Sequence, residues 1–155
     1  MTTKHTTTLG IFNRPVLLVE DNPVDIDLTL RAFARRHLSN PVEVARDGEE
    51  ALAWIPRWEA GEPLPLVIPL DLNLPRASGL EVLEQWKAHA VSRAIPVVVL
   101  TTSTEDKDIA TAYALGANSY IVKPVNFSRF LEVAVQIETY WCGVNTPAQY
   151  PRAMT

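Results

Sequence analysis

Five residues in this chain are of types that, brought together, can handle a phosphoryl group: Glu20, Asp21, Asp71, Thr101 and Lys123. Clustered carboxylates repel one another unless a cation sits among them, and hard oxygen ligands favour Mg2+. A divalent ion with a lysine beside it neutralises the oxygens of an incoming phosphoryl group. A carboxylate can then attack as nucleophile and hold the group as an acyl phosphate, while a threonine hydroxyl hydrogen-bonds it. Singly, each residue has a plainer explanation. An acid just after a strand is commonly a cap or turn former. A threonine there bonds backbone, and a lysine there is solvated. The case rests on all five ending apolar runs.

Those runs are the elements that must position the five residues. Pro15 to Val19 is continuously apolar, as in a strand covered on both faces, and ends in Glu20-Asp21. Asn22-Pro23 offers an N-cap and a proline at the first helical position. Ile26, Leu30, Phe33 and His37 then follow at helical spacing, predicting a helix to about Leu38. Val42 and Val44 alternate with polar neighbours, a shorter edge strand. Asp47-Gly48-Glu49-Glu50 opens a second helix that Pro56 should end early, leaving Arg57 to Pro65 as loop. Leu66 to Leu70 is a third strand, ending in Asp71, and a helix follows from near Ser78 to about Ala88. Ile95 to Leu100 ends in Thr101-Thr102-Ser103, and the next helix, Glu105 to Leu115, is stopped by Gly116. Ser119 to Val122 leads into Lys123-Pro124. The last helix starts near Asn126, with Phe127, Leu131, Ala134 and Ile137 as its buried face.

Five strands alternating with five helices predict parallel βαβ units with right-handed crossovers, an α/β three-layer sandwich. In open sheets of this kind ligands bind beyond the carboxyl ends of the strands. Three acids, a hydroxyl and an amine therefore converge on one rim.

The 155 residues suit one domain, and 47% apolar content supports a real core. A net charge of −4 argues against a DNA-binding surface. The single cysteine, Cys142, allows no internal disulfide, and no apolar run is long enough for a membrane span. A cytoplasmic protein without DNA or membrane contact is expected. The predicted layout is a flexible segment at 1–13, the domain at 14–141, and a tail at 142–155 that joins a dimer contact. His5, His37 and His89 match no ligand spacing. Trp54, Trp58 and Trp86 are packing residues.

Four motifs carry a family resemblance: Val19-Glu20-Asp21-Asn22, Asp71-Leu72-Asn73-Leu74-Pro75 with Ser78-Gly79, Leu100-Thr101-Thr102-Ser103, and Tyr120-Ile121-Val122-Lys123-Pro124. In order and spacing they resemble the receiver domain of two-component response regulators, over about Pro15 to Tyr140. The resemblance implies a flavodoxin-like (βα)5 fold whose five-stranded parallel sheet has the order 2-1-3-4-5. It implies Asp71 as phosphoacceptor. Mg2+ would be held by Asp21, Asp71 and the backbone carbonyl of Asn73, with Glu20 acting through water. Lys123 would pair with the phosphoryl oxygens, Thr101 would bond them, and Thr102 would add a backbone amide. Tyr120 resembles the family's switch aromatic, and Lys123-Pro124 its cis peptide. Glu20-Asp21-Asn22-Pro23-Val24-Asp25 and Glu138-Thr139-Tyr140-Trp141 look like the stand-alone receivers that partner phytochrome-type histidine kinases. The short tail is too small for a DNA-binding output domain. Receivers resembling this one commonly dimerise through the face of the fourth helix, fifth strand and fifth helix, so a homodimer is expected.

Three other readings compete. A degenerate receiver acting only as a binding module would lack the acids or the lysine, which are present. A Mg2+-dependent phosphatase with an aspartate nucleophile needs a second carboxylate two residues on, where Asn73 cannot shuttle protons. A flavin carrier would want hydroxyls and glycines where Glu20-Asp21 stands. One residue departs from the family pattern. Pro69 lies in a strand that should be central, where proline cannot donate a ladder hydrogen bond, so a bulge or local disturbance is expected.

Overall fold

The computed structural model describes residues 14–35 and 37–149. The N-terminal segment 1–13 and residues 150–155 of the tail lie outside the described residues. Strands β1 (Val16–Val19), β2 (Val42–Ala45), β3 (Ile68–Leu70), β4 (Val97–Thr101) and β5 (Ser119–Val122) form one parallel sheet of order β2-β1-β3-β4-β5. Helices α1 (Pro23–Arg35), α2 (Gly48–Leu52), α3 (Trp54–Glu59), α4 (Gly79–Ala88), α5 (Asp106–Ala114) and α6 (Phe127–Thr139) connect and cover them. A π-helical turn, Tyr140–Val144, closes the described chain.

Alternate strand residues serve opposite cores, as a pleated sheet covered on both sides requires. Leu17, Val19, Ile68, Leu70, Val97 and Val99 pack with the helices α2 to α5. Val16, Val67, Val98 and Leu100 meet α1 and α6 through Phe33, Phe130 and Ile137. Trp54, Trp58 and Trp86 belong to the first core, with ring centroids 6.2 Å apart between neighbours. None of the described helices is long and apolar enough to cross a membrane.

Several boundaries follow the sequence signals. Ser78 and Asn126 accept hydrogen bonds from the Glu81 and Arg129 amides, capping α4 and α6. Gly116 takes a left-handed φ of 107° after α5, a conformation in which glycine pays no Cβ penalty. Other boundaries differ. The second helix is not ended by Pro56 but broken before it, at Ala53, and a new helix runs on through Glu59. Pro56 sits in the first turn of α3, where its missing N–H has no intrahelical partner to lose. On α1 the buried stripe is Ile26, Thr29, Ala32 and Phe33, whereas Leu30 is exposed. The helix ends at Arg35, short of the expected Leu38, and His37 lies in the turn beyond it with a positive φ of 53°. On α6 Phe127 is exposed, and Phe130, Ala134, Ile137 and Glu138 form the buried face. The Lys123–Pro124 bond is trans, not the cis form the resemblance implied. An X–Pro bond separates the two isomers by only about 0.5–1 kcal/mol, so local context decides.

Pro69 leaves a specific mark. Ile68 donates its N–H to Pro96 on the β4 side, and Asp71 donates to Val19 on the β1 side. Alternation then directs position 69 toward β1, opposite Leu17. The β3–β4 ladder is unbroken through Pro69↔Val98, but β1 and β3 pair only at Val16↔Val67 and Val19↔Leu70. Central strand β3 thus lacks one rung two residues before Asp71. Replacing Pro69 by valine should restore that rung and raise stability by about 1 kcal/mol, seen as a higher denaturant midpoint. An equal or lower midpoint would show that the rung contributes nothing.

Candidate functional site

All strands run parallel, so their carboxyl ends share one edge, and the ladder continues just past them. Glu20 donates its N–H to Ala45 at 3.0 Å, Asp71 to Val19 at 3.0 Å, and Lys123 to Thr101 at 2.7 Å. These bonds fix the backbone at each functional position. Glu20, Asp71, Thr101 and Lys123 are buried; Asp21, Asn73 and Thr102 are exposed.

The lysine organises the site. Its Nζ donates to Glu20 Oε1 at 2.7 Å, Asp25 Oδ2 at 2.8 Å and Asp71 Oδ2 at 3.0 Å. An ammonium carries three donors, and here all three end on carboxylates. Burial alone would lower the lysine's pKa, but the hydrogen bonds to Asp25 and Glu20 and the charges of Glu20 and Asp71 raise it above its usual value. Lys123 is therefore a fixed positive charge. Glu20 is pushed up to about 7, chiefly by burial, with the Lys123 hydrogen bond opposing and the Asp71 charge reinforcing.

One lysine does not balance this many acids. Oxygens of Glu20, Asp21 and Asp71 come within 4.8 Å of one another. That hard-oxygen set fits Mg2+ or a similar divalent ion. Both Glu20 oxygens already have partners, Oε1 with Lys123 and Oε2 with the Asn22 N–H at 3.1 Å. This suits contact through water better than direct ligation, and Asp21 and Asp71 are the acids that could ligate such an ion directly. Asn73 stays beside Asp71, donating its N–H to Oδ1 at 3.2 Å.

Thr101 provides an independent sign. It has no exposed surface, and its Oγ1 has no hydrogen-bond partner. A buried hydroxyl without a partner is costly, so such groups often mark a functional role. Nearby, Tyr120 is half-buried and donates its hydroxyl to the Ser103 carbonyl at 3.0 Å. Ser103 in turn donates to Asp108 Oδ2 at 2.6 Å, tying the loop after β4 to α5. Gly79, at the start of α4, has no room for a Cβ against the Asp71 carbonyl and Leu72. The β3–α4 turn is thereby pressed onto the end of β3 that carries Asp71. Asp25 is absent from the residues expected of the site. Its sequence signals are its place at the end of the Glu20–Asp25 segment and in the first turn of a helix, a position that many solvated acids share.

Comparison with known proteins identifies the family to which a chain of this fold is similar. The family model described as response regulator receiver domain matches residues 16–135. A probable methanogenesis regulatory protein, FilR2 of Methanothrix harundinacea, is 45% identical over 131 residues, 84% of each chain. Response regulator Rcp1 of Synechocystis is 36% identical over 128 residues, covering 81% of this chain and 87% of Rcp1. Its Mn2+-bound crystal structure superposes with a TM-score of 0.82 at 33% identity, covering 88% of this chain and 99% of that one. The phosphorylated cyanobacterial phytochrome response regulator RcpA gives a TM-score of 0.82 at 38% identity, with the same coverage. The resemblance is to single-domain, phytochrome-associated response regulators.

Thr101→Val is nearly isosteric and deletes the unpartnered hydroxyl. It should stabilise the unphosphorylated fold by about 1 kcal/mol, read as a higher melting temperature. A lower melting temperature would mean that the hydroxyl already has a resting role.

Proposed function

Because the chain belongs to the response regulator receiver family, we propose that it is a stand-alone receiver that takes a phosphoryl group from a phosphohistidine onto Asp71. The observation that carries this reading is the Lys123 ammonium held 3.0 Å from Asp71 Oδ2 at the strand ends. An Asp71 carboxylate oxygen forms a bond to phosphorus as the phosphorus–nitrogen bond of the donor breaks. The electron pair of that bond returns to the imidazole, which leaves neutral when its other nitrogen carries a proton. Mg2+, held by Asp21, Asp71 and the Asn73 carbonyl with Glu20 through water, would supply charge neutralisation at the phosphoryl oxygens. Lys123 meets one of those oxygens, and Thr102 offers its backbone amide to another. Apart from its own phosphorylation and slow hydrolysis, the protein turns over no substrate.

The switch follows from charge. Phosphorylation adds about −1.5 to −2 at neutral pH. The Thr101 hydroxyl gains its missing partner by moving toward the phosphoryl group, and Tyr120 repacks into the space behind it. Nearly complete switching needs about 5.5 kcal/mol of differential stabilisation. The donor is a histidine kinase, and the likeness to RcpA points to the phytochrome type, acting in the cytoplasm. Incubation with Mg2+ and acetyl phosphate should give a labile phosphate adduct by mass spectrometry. The adduct should vanish on chelation of the metal and in Asp71→Asn. A wild-type chain that takes up no phosphate would favour a binding-only receiver.

The output surface is the face of α5, β5 and the start of α6, where Tyr113, Val122 and Phe127 are exposed. A second copy of the chain covers it, with the turn at Tyr140–Val144 taking part. Sedimentation should show the mass approaching a dimer as concentration rises; a monomer mass independent of concentration would contradict this.

A further inference from the structure

Asp25 stands outside the expected acceptor set, yet its carboxylate lies 2.8 Å from the Lys123 ammonium, shorter than the 3.0 Å contact to Asp71. The lysine side chain is only 6% exposed, so this is not a solvent-screened surface pair. The two legs other than Asp71 come from one short segment, and Asn22 braces both. Its N–H donates to Glu20 Oε2 at 3.1 Å, and its Oδ1 accepts from the Val24 and Asp25 amides at 2.9 and 3.2 Å. Thr29 Oγ1 donates to the Asp25 carbonyl at 2.8 Å, holding the next turn. The start of α1 therefore presents the Asp25 carboxylate from a fixed backbone.

We propose that Asp25 is a positioning residue for phosphoryl transfer, which with Glu20 anchors two of the three Lys123 donors and so aims the third at the reacting end of Asp71. The proposal rests on the acceptor reading of Asp71 given above. Donor arithmetic supports it. When an Asp71 oxygen becomes bonded to phosphorus, the third donor passes to a phosphoryl oxygen, and the anchors on Glu20 and Asp25 stay in place. No other contact need break. Without Asp25, one buried donor loses its acceptor, and the ammonium re-pairs within the acidic cluster instead of holding one position. Asp25 touches neither phosphorus nor the reacting oxygens; it acts through Lys123.

The test uses the full chain, with acetyl phosphate as donor and Mg2+ alone as the metal probe. In Asp25→Ala the phosphorylation rate at saturating donor should fall by about ten- to a hundredfold, up to the scale expected when a reacting group is misplaced by about 1 Å. The donor KM and the Mg2+ affinity by calorimetry should remain those of the wild type. The 15N ammonium signal of Lys123, protected by burial, should be lost in that variant. Asp25→Asn keeps an oxygen acceptor at the same place and should fall between the two. It also carries the test if the alanine variant does not fold. An unchanged saturating rate, or an ammonium signal that persists unaltered in Asp25→Ala, would overturn the proposal. If the wild-type chain takes up no phosphate, the acceptor reading fails, and the ammonium signal alone decides whether Asp25 holds the lysine.

Discussion

The site is built around a single buried ammonium shared by three carboxylates. Lys123 reaches Glu20, Asp25 and Asp71 within 3.0 Å. A buried charge is tolerated only when paired and hydrogen-bonded, and removing one partner leaves another charge uncompensated. The lysine therefore ties together β1, the first turn of α1, the end of β3 and the residue after β5. The acids still outnumber the base, and burial raises Glu20 to about 7. This imbalance makes the pocket suited to a divalent cation and, on the proposed reading, through it to an anionic phosphoryl group.

The sheet supplies the precision. Asp71, Glu20 and Lys123 each follow a strand by one residue, and each is pinned by a backbone hydrogen bond to the neighbouring strand. Pro69 removes a rung on the β1 side, while β4 pairs with all of β3 and the Asp71 amide resumes bonding to Val19. Asp71 thus ends a strand that β4 pairs throughout and that β1 pairs only on either side of Pro69, at Val67 and Leu70. Gly79 closes the turn from the other side, since a side chain there would collide with the Asp71 carbonyl. Local weakness in the strand and tight packing in the turn meet at the same residue.

Much of this was legible in the sequence because it depends on short-range pattern. Apolar runs ending in Asp71, Thr101 and Lys123 gave strand ends, and Ser78, Asn126 and Gly116 gave helix limits. What pattern could not supply was set by tertiary contact. Pro56 looked like a helix stop, yet proline in a first turn costs little, and the break fell at Ala53. Phe127 looked like core by spacing, but the rotation of α6 buries Phe130 and exposes Phe127. The Lys123–Pro124 bond is trans, a choice the dipeptide alone does not make. Asp25 reads as an ordinary first-turn acid, and only the fold brings it 2.8 Å from a lysine 98 positions away.

On the proposed reading Thr101 links the resting pocket to the switched one, because its buried hydroxyl has no partner at rest. The account requires that phosphorylation supply that partner while Lys123 keeps its anchors. The most direct check is a crystal structure of the protein with Mg2+ and beryllofluoride, a mimic of the phosphoryl group on Asp71. The account predicts that the Thr101 hydroxyl and the Lys123 ammonium each lie within hydrogen-bonding distance of a fluoride. A beryllofluoride on Asp71 with Thr101 still unpartnered, or with Lys123 turned away from it, would contradict the account.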